Sequence, residues 1–515
     1  MNYSTVLNSS QAPFNLFISA TLSGFLSPEP DKSFNYCMLF CREGNTLNAL
    51  ALLNPQGTFI GIDPDQKFIK EAKNTAQQLN LKNITYIKAD IRNLKYEKFP
   101  DFDFIILNTS YSHLENSLRE KILDFVNKKL KEHGIFYIEY LSFPGNASII
   151  PFWYLFQKLV PAEKFSDLKE RAKKGLYFLK LFAKRGMFYF RDHPVITKLV
   201  QFYLNQIQTD EQDEFIFDHF IYNMLSNEFK PFFFYEIYES VKNKGLEFIG
   251  SADFKLNDLE LSIPFSQIPT FFEITETSLV ETLKDFIRNT SERKDMFSKN
   301  PIQDYNKAYQ LLKEKIKIFT SVPITEIIRV VPVIGGGRIP LKAPIYDKIF
   351  QLFENKREFI TLKDLEGFSA KQILKALTRL LATNEFILAL EEPVPIFSIK
   401  YTEIKSFKFR LKFNQRLLEK ACKKFWPVVL ISELTKSPFI YLNPLEAIIL
   451  LNMQRYNENL IEKIKENLSH ISKLIPTSSG PKPAKNLKRE EIEKFIKIFY
   501  KRKLPLLIKT RILEI

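Results

Sequence analysis

The chain has 515 residues, of which 45% are apolar and 26% charged; this excludes wholesale disorder and calls for more than one hydrophobic core. Lys plus Arg number 74 against 59 Asp plus Glu, a net charge of +15, but Lys and Glu interleave closely, as in 311–319, which is the pattern of solvated helix faces. Three cysteines build no disulfide framework or metal site, and no apolar run reaches the roughly 20 residues of a spanning helix, so the expectation is a cytoplasmic chain with no metal and no membrane span.

Tyr36 to Phe40 forms a short apolar strand, and Thr46 caps a helix that runs to Leu53. Thr58 to Ile62 is a second strand, ended by Asp63 and Pro64. Ile69, Ala72, Ala76 and Leu79 recur at helical spacing and predict an amphipathic helix. Ile84 to Ile87, Phe102 to Leu107 and Ile135 to Tyr140 are further strands, with a helix from Leu118 to Leu130 before the last. Strands separated by helices of this length predict a parallel, doubly wound sheet within residues 1–150.

Residues 151–212 read as a helical connector rich in aromatics, and 213–335 as a mostly helical α+β region. Phe232, Phe233 and Phe234 suggest a buried strand there, and Gly335 to Gly337 a hairpin turn between β-branched runs. Residues 340–395 give a helix with Ile349, Phe350 and Phe353 inward, a short strand, a helix started by Ser369 and a strand from Phe386 to Leu390, the order of a winged helix. Lys371, Lys375 and Arg379 line the outer face of its second helix, as in a DNA-reading helix and equally as in any soluble one. Residues 396–515 are α-rich, with a linker at 478–485.

Ligands of an open parallel sheet bind beyond the carboxyl ends of the strands, where strand order reverses. Four loops reach that edge: 41–48, the turn after Asp63, the turn at Asp90, and 108–113. A carboxylate ending the second strand suits a ribose, because it accepts hydrogen bonds from both hydroxyls. Pro64 and Ile91 offer flat walls to an adenine, and Asp90 an acceptor for its amine. Read singly, Asp63 equally caps the next helix and Asp90 a turn; together they point to a nucleoside site.

The strand order carrying Gly61-Ile62-Asp63, then 88–91, then 102–107, followed by Tyr111-Ser112, the 140–146 run and the blocks 213–254 and 283–297, resembles class I S-adenosylmethionine-dependent methyltransferases that carry a methyltransferase regulatory domain. It is similar to the rickettsial type of protein-lysine methyltransferase. The resemblance implies an α/β fold: a Rossmann-like catalytic domain over 1–150, a helical connector, the regulatory domain over 213–335, a winged-helix-like domain over 340–395 and a C-terminal α-rich region. It implies S-adenosyl-L-methionine as cofactor, bound by Arg42, Gly44, Asp63, Pro64, Asp90, Ile91 and Asn108, with Arg42 pairing the cofactor carboxylate. Tyr111, Ser112, His113 and Tyr140 would line the acceptor channel. A protein is the expected substrate, a second copy of the chain a candidate partner, and nucleic acid is not expected.

The chain departs from that family in its first loop. Met38 stands where an acid is usual, Phe40 and Arg42 where glycines are usual, and only Gly44 remains; His113 replaces a usual tryptophan. Those glycines allow backbone to approach the ligand with φ above zero. Their loss favours an alternative, a catalytically inactive methyltransferase-fold module that binds protein. A third reading is a nucleic-acid-binding protein that uses the winged helix.

Overall fold

Seven strands build the central sheet of the computed structural model, which describes residues 6–209, 214–395, 404, 406–455, 459–477 and 480–515. They are β1 (Phe34–Leu39), β2 (Gly57–Asp63), β3 (Ile84–Lys88), β4 (Phe102–Leu107), β5 (Leu130–Leu141), β6 (Leu246–Ser251) and β7 (Glu292–Lys299), in the order β3-β2-β1-β4-β5-β7-β6. The first five pair in parallel, while β7 runs antiparallel to both β5 and β6. Strand order reverses between β1 and β4, which fixes where a ligand crevice opens. The doubly wound sheet extends past residues 1–150, because β6 and β7 come from the later α+β segment. Helices from 149 to 242 interrupt the strand–helix alternation, which hides their membership from the sequence pattern.

Four helices cover the sheet near its crevice: α1 (Pro13–Leu22), α2 (Asn45–Leu53), α3 (Gln66–Gln78) and α4 (Asn116–Lys129). Ile69, Ala72 and Ala76 form the buried stripe of α3, and Asp65 caps it by accepting Lys67 N–H at 2.7 Å. β4 is apolar on both faces because both are covered. Phe104 and Ile106 join Tyr36, Leu47 and Leu50 on one side, and Ile105 and Leu107 join Ile122 and Phe125 on the other. Burying a side chain such as Phe104, 0% exposed, contributes about 1.5–3 kcal/mol.

Phe232 and Phe234 are buried as expected, but they form no strand. Phe232 makes an isolated bridge to Ser142, and Phe234 opens the helix Phe234–Lys242. The Glu236 carboxylate accepts Phe233 N–H at 2.9 Å, and this helix-start bond overrides the β-propensity of three aromatics. Gly335, Gly336 and Gly337, all with positive φ, turn the hairpin between Val330–Pro332 and Arg338–Pro340.

The 340–395 unit contains helix Pro344–Glu354, strand Ile360–Thr361, helix Ala370–Ala382 and strand Phe386–Ala389. Its two strands flank Lys317–Thr320, so the middle strand comes from outside the expected boundary. The basic stripe on Ala370–Ala382 faces neighbouring elements. Arg379 pairs with Glu260 and lies 3.6 Å from Asp258, Lys375 is 3.7 Å from Glu260, and Lys371 sits over the Tyr305 ring.

The C-terminal region shares a core with α2, through Ala49 and Leu53 packed with Leu430, Ile448 and Leu507. Of the expected linker, residues 478–479 lie outside the described residues. Lys482–Pro483 instead pairs with Leu474–Ile475 in a short hairpin. Among the described residues no helix is long and apolar enough to cross a membrane.

Candidate active site

β1 runs out into a loop from Phe40 to Gly44, and Gly44 is the N-cap of α2. Phe40 has φ 54°, Arg42 50° and Gly44 65°. The loop therefore follows a glycine path with two side chains on it. Left-handed backbone costs an L-residue roughly 1–2 kcal/mol, so neighbours must hold it there. Asp63 Oδ2 accepts Arg42 N–H at 2.9 Å, and Asn108 Nδ2 donates to the Phe40 carbonyl at 2.9 Å. Asp63 Oδ1 accepts Asp65 N–H at 2.9 Å, so Asp65 caps α3 and Asp63 braces the loop. Burial raises the Asp63 carboxyl above its ordinary value, and these N–H donors oppose that rise. At Gly44 a Cβ would collide with the Tyr86 hydroxyl, so no other residue fits.

Two hollows open on this edge. The smaller, about 70 Å³, is walled by Phe40, Pro64, Ile91 and Leu118, with Asp90 and Arg92 at its rim. The larger, about 500 Å³, is bounded by Arg42, Gly44, Asn108, Ser110, Glu139 and Tyr222. Small-molecule sites usually span about 300–1,000 Å³, which the larger hollow meets and the smaller does not. The structure thus brings Pro64, Asp90 and Ile91 together at one hollow and Arg42, Gly44 and Asn108 at the other, while Asp63, 3% exposed, lies beneath the loop.

Arg92 grips Asp90, with Nη2 2.6 Å from Oδ2 and Nε 3.0 Å from both oxygens, and this pair holds the carboxyl below its ordinary value. The Arg42 guanidinium lies 5.3 Å from the Phe68 ring centroid. Its Nε is 3.8 Å from Glu43 Oε2 and is buried without a hydrogen bond. A buried donor left unsatisfied costs about 1–3 kcal/mol, which the nearby Glu43 carboxylate offsets in part.

Sequence reasoning missed a polar cluster on the far wall of that hollow. Glu139 on β5 lies opposite Lys294 on β7. Its Oε2 accepts from Tyr137 Oη at 3.0 Å and Asn8 Nδ2 at 3.2 Å. Lys294 Nζ stands 3.7 Å from Glu139 Oε1 and 3.6 Å from Glu292 Oε1. Burial, helped by a hydrogen bond to Glu292, pushes Glu139 up to about 8, against the pull of Lys294. Burial also acts on Glu292, but the Glu139 hydrogen bond and Lys294 outweigh it and hold Glu292 low. The signal in the sequence was a lone acid inside the apolar run Ile135 to Leu141.

The four residues expected in an acceptor channel line neither hollow. Tyr111 is 2% exposed, its ring 5.4 Å from that of Phe232. The Ser112 hydroxyl accepts Leu141 N–H at 2.9 Å inside the core. The His113 ring lies 4.0 Å from that of Tyr222, tilted by 50°, with Nδ1 3.2 Å from both Ser226 Oγ and the Glu228 carbonyl; burial lowers it to about 4. Tyr140 donates to Asp295 Oδ2 at 2.7 Å. Strand alternation explains that miss: Tyr137, Glu139 and Leu141 share one face of β5, and Tyr140 points to the other.

Residues 30–184 match the family described as methyltransferase domain, and residues 217–299 the family described as predicted methyltransferase regulatory domain. The chain carries a methyltransferase domain and a methyltransferase regulatory domain. An uncharacterized protein of Synechocystis sp. is 25% identical over 355 residues, 69% of this chain and 68% of that protein. An uncharacterized protein of Rickettsia prowazekii is 25% identical over 298 residues, 56% of this chain and 50% of its own length. PKMT2 from Rickettsia typhi, solved in complex with AdoHcy (S-adenosylhomocysteine), has a TM-score of 0.63 over 98% of this chain and 99% of that one, at 17% identity. That likeness is one of fold, and it spans the methyltransferase domain and the C-terminal units together. The regulatory domain supplies β6 and β7 to the sheet, and Tyr222, Asn223, Glu292 and Lys294 to the larger hollow, so it walls the crevice of the methyltransferase domain.

Proposed function

We propose that the chain is an S-adenosylmethionine-dependent methyltransferase that acts on lysine in a protein. The observation that carries this reading is the first loop, which keeps the left-handed backbone of a ligand-approaching glycine turn at Phe40, Arg42 and Gly44. The whole-chain fold likeness to PKMT2 from Rickettsia typhi, solved with AdoHcy, supports it.

The residues present fit the cofactor. Pro64, Ile91 and Leu118 offer apolar walls to an adenine, and the Arg42 side chain, 31% exposed, lines the larger hollow with a cation that suits a carboxylate. Each Asp63 oxygen accepts one backbone N–H, and the carboxylate, 3% exposed, lines neither hollow, so a ribose reaches it only when the 40–44 loop shifts. Filling the smaller hollow requires the Phe40 ring to move aside and Arg92, whose side chain is 53% exposed, to release Asp90. Bound S-adenosylmethionine supplies a methyl group on a sulfonium, so the protein's task is to orient a nucleophile. Asn108 and Asp63 hold the loop, Arg42 would hold the carboxylate, and the wall from Ser110 to Glu139 faces the acceptor. A crevice that excludes water lowers an amine's pKa and favours its neutral form.

The buried thiols Cys37 and Cys41 suit a reducing, cytoplasmic setting. In this reading the 340–395 unit keeps a winged-helix-like order of elements, and its basic stripe, held by Glu260, Asp258 and Tyr305, serves the protein interior ahead of nucleic acid. The non-catalytic alternative is favoured by one feature, the narrowness of the smaller hollow. The test is transfer of labelled methyl from S-adenosylmethionine to poly-L-lysine and to lysine-bearing proteins, with the modified residue located by mass spectrometry. Label on lysine supports the assignment; label confined to other residue types removes the lysine reading.

A further inference from the structure

A cleft of about 750 Å³ lies between α1, the turn 252–255, strand Phe386–Ala389 and strand Ser437–Leu442. Strand Phe386–Ala389 stands at the edge of its sheet, with Lys317–Thr320 as its ladder partner. Ser321 N–H donates to the Glu385 carbonyl at 2.8 Å, which fixes the parity of that pairing. Glu385, Ile387 and Ala389 turn their main-chain groups toward Lys317–Thr320, so Phe386 and Leu388, which line the cleft, turn theirs away from it. Among the described residues nothing pairs with those N–H and carbonyl groups. Phe386 is 3% and Leu388 5% exposed, so little water reaches them either. Buried main-chain groups without a partner are rare, and here they mark a place for one. We propose that this edge takes an extended polypeptide segment as an added strand, namely the stretch of the protein substrate that leads to the acceptor lysine. That the segment is substrate rests on the methyltransferase reading above; its pairing with the edge does not.

Main-chain pairing, and not charge, carries the recognition. Lys255, Lys294, Arg502 and Lys503 line the cleft together with Asp253 and Glu385. Each cation has a partner in place. Lys255 Nζ donates to Asn384 Oδ1 at 2.9 Å, and Lys294 stands between Glu139 and Glu292. Arg502 Nη2 is 3.4 Å from Glu326, and Lys503 Nζ donates to the Tyr441 carbonyl at 3.0 Å. The lining therefore favours neither an acidic nor a basic guest. The facing strand, Ser437–Leu442, is closed to pairing. Asn414 bonds both the N–H and the carbonyl of Ile431, so Ile431 and its register partner Pro438 turn away from each other. Pro438 has no N–H to offer on that outer side, and Lys503 occupies the Tyr441 carbonyl. The Phe386–Ala389 edge carries neither proline nor lysine, the residues that usually blunt an edge. The cleft meets the larger hollow of the crevice at Ser9, Ser10 and Lys294, which line both, so a chain seated on this edge has an unbroken path to the crevice.

The probe is the peptide acetyl-(Thr-Lys)4-amide, compared with the same peptide N-methylated at every residue and with acetyl-(Thr-Gln)4-amide, each titrated into the full chain. Expected is binding of the two unmethylated peptides within a few-fold of each other, and a loss of about tenfold or more on methylation, the scale of losing one or two hydrogen bonds. Amide hydrogen exchange over residues 384–389 should be fast in the free chain and slow about tenfold or more when peptide is added. Leu388→Pro removes one outward N–H at an edge position and should weaken the peptide to the same degree; the methylated peptide gives the same answer on the unaltered chain. Equal binding of methylated and unmethylated peptide, no binding of either, or protection that appears elsewhere and leaves 384–389 unchanged would overturn the proposal. Slow exchange at 384–389 without peptide would also overturn it, and if that protection grows with protein concentration the occupant is a second copy of the chain. AdoHcy titrated separately keeps the two readings apart. If AdoHcy fails to bind while peptide protects 384–389, the strand site stands and the methyltransferase reading falls. If AdoHcy binds and no peptide protects 384–389, only the strand site falls.

Discussion

Asp63 accepts the backbone N–H of Arg42 at 2.9 Å, so the acid at the end of β2 holds the loop at the end of β1 in its left-handed shape. This bond links the two sequence features that pointed in opposite directions. The acid argues for a nucleoside site and the bulky loop argues against one, yet the acid is what keeps the bulky loop on a glycine path.

Replacing Asp63 by Ala should therefore cost both stability and ligand. Two buried backbone donors, Arg42 N–H and Asp65 N–H, lose their acceptor, which predicts a loss of about 2–3 kcal/mol in urea unfolding. AdoHcy affinity should fall with it. A variant of unchanged stability would show that the loop holds its shape without the brace.

Arg42→Gly separates backbone from side chain. It removes a left-handed L-residue and should stabilise the fold by about 1 kcal/mol, while weakening AdoHcy through loss of the guanidinium. Phe40→Gly relieves the same strain but removes a ring packed against the core, so it should gain no stability while tightening AdoHcy, because the ring walls the smaller hollow. Calorimetric affinity and unfolding free energy, measured on both variants, check the split.

Glu139 predicts a pH dependence of known sign. Its folded value of about 8 lies above the ordinary 4.5, so its contribution to stability is fully present below 4.5 and is lost as pH rises through about 8. The thermal unfolding temperature should therefore fall from acidic toward alkaline pH across that window, and Glu139→Gln should flatten the slope. A slope unchanged in the variant would place the responsible group elsewhere.

Tyr140→Phe should act on stability alone. The hydroxyl donates to Asp295, which also accepts from Arg293 Nε at 2.8 Å in a fully buried network with Asp285 and Glu281. Loss of one donor predicts about 1–3 kcal/mol of destabilisation with AdoHcy affinity unchanged. A loss of affinity without loss of stability would return Tyr140 to the site.

The first five strands were legible in the sequence because each is a short apolar run closed by a polar or Pro-containing turn, and the stripe at Ile69, Ala72 and Ala76 fixed the helix between two of them. β6 and β7 were not, because sheet membership across a helical insertion is a tertiary fact that local periodicity does not encode. Pro64, Asp90 and Ile91, read from strand ends alone, do line one hollow at the carboxyl edge of the sheet. Glu139 drew no notice because it sits within a strand and not in a loop, and the alternation of β5 sends it and Tyr140 to opposite faces. The capping role went to Asp65 and not Asp63, a difference of two residues that only the hydrogen bonds reveal.

The central claim is that an adenosine ligand still binds over the rim of β1, β2 and β3 despite Phe40 and Arg42. Isothermal titration of the full chain with AdoHcy tests it most directly. The account predicts saturable one-to-one binding in the micromolar range, about −8 kcal/mol, weakened in Asp63→Ala and strengthened in Phe40→Gly. Folded protein that gives no heat with AdoHcy, in wild type and in Phe40→Gly alike, would contradict it.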